Sequence, residues 1–209
     1  MTSVSKESKT TTVGLVVGDH VVLAADKRAT AGTLIAHKRV KKILKISDYM
    51  AMTISGLVAD AQFLVEQARY MVRRYGIETG EKMSVSALAS NLSLLLTVYL
   101  RVYPFIVQLL LGGVDEKGPQ LYYLDLYGTI SREKYMATGS GSPTAIGVLE
   151  EGYRSDMSIE EAVELARKAV LAAMKRDGFS GEGVDVVVIG PGIYREETFI
   201  PEKRLVAEK

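Results

Sequence analysis

Thr10-Thr11-Thr12-Val13-Gly14-Leu15-Val16-Val17-Gly18-Asp19-His20-Val21-Val22-Leu23-Ala24-Ala25-Asp26 reads as two strands and the turn between them. Thr11–Val17 is rich in the β-branched residues that suit a pleated surface, Gly18-Asp19 is a turn pair, and Val21–Asp26 is a second, buried strand. This hairpin opens the folded part of the chain. The segment before it, Met1–Lys9, is polar, carries three serines and has no apolar core, so it is not a secretory signal. It is expected to be a short leader, residues 1–9, outside a single domain running over residues 10–209.

Beyond the hairpin, Ala29–Gly32 reads as a turn and Leu34–Ile46 as short strands with exposed lysines. Tyr49–Ser55 is a strand closed by Gly56. A helix is expected over Val58–Tyr75, where Leu64, Ala68, Met71, Val72 and Tyr75 recur at helical spacing, with Gly76 as its stop. A second helix, Val85–Tyr103, ends before Pro104. Strands follow at Ile106–Val114, Leu121–Asp125 and Tyr135–Thr138, with turns at Glu116-Lys117-Gly118-Pro119 and Tyr127-Gly128. Ser142-Pro143 starts a short helix to Glu151. Ser158–Arg176 is a longer one, with Ser158 and Glu161 in a capping-box pattern. Val184–Ile189 is an apolar strand. Helix pairs grouped between runs of strands indicate layered sheets with helices outside, an α+β arrangement.

Composition narrows the function. The formal net charge is +1 over 209 residues, too little basic excess for nucleic acid as the main partner. There is no cysteine, which removes disulfides and thiol chemistry and fits a cytoplasmic location. No apolar run reaches the roughly 20 residues of a membrane span, since Leu94–Leu100 and Phe105–Leu111 are interrupted by Arg101, Pro104 and Gln108. With only His20 and His37, a zinc site is not expected and no metal or other cofactor is called for. Gly139-Ser140-Gly141-Ser142 lacks the lysine and spacing of a phosphate loop, and there is no Gly-x-Ser-x-Gly elbow. A hydrolase built from this chain therefore needs Ser or Thr as nucleophile, and Lys, a carboxylate or a free α-amine as base. An α-amine with a pKa of about 7.7–8.0 is partly neutral at physiological pH. A threonine at a new N-terminus carries such an amine and its hydroxyl together. The triple threonine after the leader is where it would lie.

Those residues also carry a family resemblance. Thr10-Thr11-Thr12-Val13-Gly14-Leu15, Asp26-Lys27-Arg28 with Thr30, His37-Lys38, Lys41-Lys42 and Met52-Thr53-Ile54-Ser55-Gly56-Leu57-Val58-Ala59-Asp60 closely resemble proteasome β subunits of the archaeal type. The likeness continues at Gly112-Gly113-Val114-Asp115, Thr138-Gly139-Ser140-Gly141-Ser142 and Arg176-Asp177-Gly178-Phe179-Ser180-Gly181, and so covers nearly everything after Lys9. It implies an N-terminal-nucleophile hydrolase fold, a four-layer αββα sandwich with two antiparallel sheets between helical layers. It implies a threonine endopeptidase that degrades unfolded polypeptides inside a barrel. Its partners would be an α-subunit ring and other β subunits, in seven-membered rings of a four-ring stack fed by an ATP-driven unfoldase. By position, Thr10 matches the nucleophile, Asp26 and Lys42 the pair beside it, and Gly56 the backbone oxyanion donor. Ser140, Asp177 and Ser180 match the residues around the threonine amine. Ala29, Val40, Leu44, Ile54, Val58 and Gln62 match the substrate pocket, a mostly apolar set without charge that favours cleavage after apolar or aromatic residues.

One position departs from the pattern. Residue nine is Lys9, where the family's self-cleaved leader ends in glycine. Autocatalytic cleavage of this zymogen-like leader, between Lys9 and Thr10, needs backbone geometry that glycine takes up readily and lysine does not. Two readings follow: a peptidase activated by leader removal, or an unprocessed, noncatalytic ring subunit. A solitary N-terminal-nucleophile amidase is a third.

Overall fold

In the computed structural model, which describes residues 10–200, the opening hairpin is β1 (Thr12–Val17) and β2 (His20–Asp26). Val17 pairs with His20 across a Gly18-Asp19 turn, and Gly18 supplies a φ of +49°. Both faces of this hairpin are dry. Val13, Leu15 and Val17 of β1 join Val22 and Ala24 of β2 in one apolar cluster, while Val21, Leu23 and Ala25 enter another. Side chains alternate across a strand, so strands apolar on both faces need a layer on each side.

From there the chain runs through β3 (Ala29–Ala31), β4 (Leu34–His37), β5 (Ile43–Ser47) and β6 (Met50–Gly56) to helices α1 (Val58–Thr79) and α2 (Val85–Tyr99). Next come β7 (Val107–Asp115), β8 (Gly118–Asp125), β9 (Ile130–Glu133) and β10 (Tyr135–Thr138), helices α3 (Ser142–Gly152) and α4 (Ile159–Met174), and the hairpin β11 (Val184–Gly190) and β12 (Ile193–Phe199). One antiparallel sheet has the order β10-β1-β2-β11-β12 and a second the order β5-β6-β7-β8-β9, with β3-β4 as a separate ribbon. Ala162, Ala166, Ala169, Val170 and Ala173 of α4 press on the first sheet. Leu64 and Ala68 of α1 and Leu88, Leu92 and Leu96 of α2 press on the second. Leu23, Ile43, Leu110, Leu121 and Val187 fill the space between the sheets. Gly14 permits that approach, since a Cβ there would meet Leu121 at 2.8 Å and Leu23 at 3.0 Å. The αββα order of layers expected from the resemblance is the one found.

Several boundaries differ from the sequence reading. Ala29–Gly32 is not only a turn: Ala29–Ala31 pairs with β4, and Gly32 makes the bend. Gly76 does not stop α1. The helix continues to Thr79 and closes at Gly80, whose φ is +74° and whose N–H donates to the Gly76 carbonyl. A mid-helix glycine costs only about 1 kcal/mol, too little to end the helix by itself. The second helix ends at Tyr99, not Tyr103. Val102 and Tyr103 both donate to the Tyr99 carbonyl in one last turn, because the residue before Pro104 is disfavoured in helical geometry. The helix read as Ser158–Arg176 spans Ile159–Met174, with the Ser158–Glu161 capping box formed as read. Strands β9 and β12 were not anticipated; both are sheet edges whose exposed faces remove the apolar signal. The expected leader, residues 1–9, lies outside the described residues.

Candidate active site

Pairing of Thr12 with Ala25 lays Thr10 and Thr11 alongside Asp26, whose N–H donates to the Thr11 carbonyl at 3.1 Å. Alternation then sends the three hydroxyls to different places. Thr10 Oγ1 donates to Asp26 Oδ1 at 2.9 Å. Thr11 Oγ1 lies 2.6 Å from Ser180 Oγ. Thr12 Oγ1 bridges the sheets, 2.7 Å from Thr138 Oγ1 and 3.0 Å from Thr53 Oγ1. Of the three, only Thr10 meets the acid and the lysine.

The Asp26 carboxylate is wholly buried, and a buried charge persists only where it is paired and hydrogen-bonded. Its Oδ1 accepts from Thr11 N at 3.0 Å and Lys42 Nζ at 2.7 Å as well as from Thr10. Its Oδ2 accepts from Arg28 N at 3.0 Å and Gly181 N at 2.9 Å. Lys42 precedes β5 on the other sheet and also donates to Thr10 Oγ1. The reading of Leu34–Ile46 as bearing exposed lysines holds for Lys38 and Lys41 but not for Lys42, which is buried. Burial pushes the Lys42 ammonium below its ordinary range; attraction to Asp26, and more weakly to Asp177, opposes this, while the positive charge of Arg28 adds to the lowering. A lysine so lowered, in contact with a hydroxyl, is placed to exchange a proton with it.

On the other side of Thr10, its backbone nitrogen donates to Ser140 Oγ at 3.2 Å, and Ser140 Oγ donates to Asp177 Oδ2 at 2.8 Å. Ser180 Oγ donates to the same oxygen at 2.6 Å, which leaves Thr11 as the donor to Ser180. Ser140, Asp177 and Ser180 are thus brought together in one network, and Ser140 is its member on the nitrogen of Thr10. Gly139, with a φ of +91°, lets the Ser140 loop approach: a Cβ there would run into the Thr10 carbonyl. Gln108 of β7 holds this loop from the opposite sheet, its Oε1 accepting from Gly139 N at 3.1 Å.

Gly56 ends β6 with a φ of +114°. Ile54 N donates to the Lys42 carbonyl at 2.9 Å, and amides two apart in a strand share an edge, so the Gly56 N–H lies on the Lys42 edge. The six residues matched to a substrate pocket by resemblance lie on β3, the β4–β5 connection, β5, β6 and α1. Ile54 is buried on β6, and Ala29, Val40 and Leu44 are half-buried on the segments before and after Lys42. Val58 and Gln62 are exposed, one turn apart at the start of α1. Thr11, Thr53, Thr138 and Gln108 were not anticipated as neighbours of the site; Thr138 comes from β10 in the same sheet, and Thr53 and Gln108 from the opposite one.

The proteasome subunit profile matches residues 7–189. The chain belongs to the proteasome subunit family. It is 69% identical over 201 residues to proteasome subunit beta 2 of Staphylothermus marinus, covering 96% of this chain and 97% of that one. It is 69% identical over 199 residues to proteasome subunit beta 2 of Desulfurococcus amylolyticus, covering 95% and 96%. Against proteasome subunit beta 1 of Pyrobaculum aerophilum it is 52% identical over 198 residues, covering 94% and 98%. The chain is thus a proteasome β subunit, and proteasome β subunits are in general threonine peptidases. Among the described residues of this subunit, no helix is long and apolar enough to cross a membrane.

Proposed function

We propose that this β subunit is a working threonine endopeptidase, with Thr10 as its nucleophile once residues 1–9 are removed. The observation that carries the reading is the convergence of Asp26 and Lys42 on the Thr10 hydroxyl while Ser140 meets its nitrogen, backed by Asp177, which Ser180 also holds. Thr10 Oγ1 attacks the peptide carbonyl, its proton passing through water to the freed α-amine, while the charge of Lys42 beside it favours loss of that proton. The oxyanion of the tetrahedral intermediate accepts from the Gly56 N–H. Collapse with protonation of the leaving amine gives an ester on Thr10, and water then hydrolyses it to restore the hydroxyl. Asp26 keeps Lys42 oriented throughout.

Substrates are unfolded polypeptides, cut after apolar or aromatic residues received by Ala29, Val40, Leu44, Ile54, Val58 and Gln62. Fluorogenic peptides ending in Leu, Tyr, Arg and Glu test this, and faster turnover after Arg or Glu overturns it. The subunit works in the cytoplasm, in rings with other β subunits beneath an α ring, with an ATP-driven unfoldase as feeder. The exposed Leu94, Val98, Val102 and Tyr103 along α2 and its last turn support burial of this face in an assembly.

A second reading, a noncatalytic subunit that shapes the ring, is favoured by Lys9 in place of glycine. The intact mass of the subunit after co-assembly with its α ring and any sister β subunit separates the two. Loss of Met1–Lys9 is the expected result; a full-length chain in the finished particle overturns the catalytic reading.

A further inference from the structure

We propose that Asp60 is a positioning residue for the peptidase reaction: by holding the Ile106 peptide it fixes the Gly56 amide where the oxyanion forms. The inference rests on the catalytic reading above. Asp60 lies in the first turn of α1, where a carboxylate ordinarily serves its own helix terminus. Here Asp60 is buried, the Leu57 N-cap offers no side-chain bond, and Asp60 Oδ2 accepts instead from Ile106 N at 2.9 Å, across 46 residues of sequence.

Ile106 precedes β7, so the ladder that begins at Val107 does not include it. Its carbonyl accepts from Leu57 N at 2.8 Å, and this same carbonyl occupies the space that a Cβ on Gly56 would need. The Ile106 residue is therefore pinned at both backbone polar groups, by Asp60 on one and Leu57 on the other, and its carbonyl backs Gly56. Gly56 has no side chain to hold its own φ of +114°, a region glycine enters as readily as others. What it packs against sets the direction of its N–H. Phe105, next to Ile106, stacks on Phe63 with ring centroids 5.5 Å apart, which anchors the segment but leaves its peptide orientation to Asp60.

The test uses the full chain co-assembled into its particle, with rates normalised to chains that begin at Thr10 by mass. Asp60→Asn keeps an acceptor at the same reach and is expected to hold kcat within about threefold. Asp60→Glu keeps the charge but displaces the acceptor, and Asp60→Ala removes it. Both are expected to lower kcat about 10- to 100-fold, part of the loss seen when an oxyanion donor is removed outright. KM stays within about threefold, and binding of a peptide aldehyde, whose adduct carries the oxyanion, weakens by the same factor as kcat. A role in stability alone would not join kcat to aldehyde binding. Wild-type-like kcat in Asp60→Ala, or Asp60→Glu outperforming Asp60→Asn, overturns the inference. If Asp60→Ala does not enter the particle, the order of the other two variants decides. A processed wild-type particle without hydrolysis removes the catalytic reading and this inference with it, whereas an active wild type beside an equally active Asp60→Ala removes this inference alone.

Discussion

Replacing Asp26 by Asn tests whether the centre is held by a buried ion pair. The side chains of Lys42 and Asp26 are 6% and 0% exposed, with Nζ 2.7 Å from Oδ1. Breaking a buried pair from one side strands the remaining charge and costs about 3–5 kcal/mol. The Asp26→Asn amide would also turn an NH2 group toward donors already aimed at the carboxylate, namely Thr11 N and Lys42 Nζ on one oxygen or Arg28 N and Gly181 N on the other. Removing the stranded cation as well, in Asp26→Asn/Lys42→Met, relieves the larger part. With a urea slope of about 2–3 kcal/mol/M, the single variant is expected to unfold roughly 1.5–2 M earlier than wild type, and the double variant to regain about 1 M. Circular dichroism of the unassembled full chain in urea reads both midpoints. An Asp26→Asn midpoint within about 0.3 M of wild type, or a double variant no more stable than the single one, would refute the reasoning.

Burial lowers the folded-state pKa of Lys42, so the folded chain releases this proton at a lower pH than the unfolded chain does. The penalty for the buried ammonium is full below the folded pKa and fades as pH rises toward the unfolded value of about 10.4. The stability of wild type relative to Lys42→Met should therefore rise between those two points, which urea midpoints of both proteins from pH 7 upward will show. In the assembled particle, Thr10→Ala is expected to abolish peptide hydrolysis. Thr11→Val, which loses only the contact with Ser180 Oγ at 2.6 Å, is expected to slow it by no more than about tenfold, as fluorogenic turnover will measure. Gly76→Ala is expected to stabilise by about 0.5–1 kcal/mol, because the added methyl meets only the Glu81 carbonyl, at 3.6 Å. Gly80→Ala, at a φ of +74°, is expected to cost about 1–2 kcal/mol; thermal or urea unfolding measures both glycine variants. Ser158→Ala removes the N-cap bond to Glu161 N at 3.2 Å and is expected to cost about 1 kcal/mol in the same assay.

Much of the layering was legible along the chain because its signals are local. The runs Val13–Val17, Val21–Ala25 and Val186–Ile189 are apolar on both faces, and such strands must be covered on both sides. The spacing of Leu88, Leu92 and Leu96 marks a helix with one buried face. Helix ends were less legible: Gly76 reads as a stop, yet the helix closes only at Gly80, whose φ of +74° and N–H bond to the Gly76 carbonyl form the cap. The edge strands β9 and β12 escaped notice for the converse reason: with one side open to solvent, their residues carry no apolar run.

The sequence by itself determined which hydroxyls, acids and amines were on offer. It excluded thiol chemistry through the absence of cysteine, and its ordered motifs marked Thr10, Asp26 and Lys42 by resemblance. Alternation along a strand already separates Thr10 from Thr11. Only the tertiary structure decided where those side chains go, because that depends on how two sheets face each other. Lys42 reaches Thr10 from the opposite sheet, Gln108 crosses the same gap to hold Gly139, and Asp60 binds Ile106 across 46 residues. Such contacts join residues with no periodic relation along the chain, so they become visible only once the two sheets have packed together and α1 has packed on its own sheet.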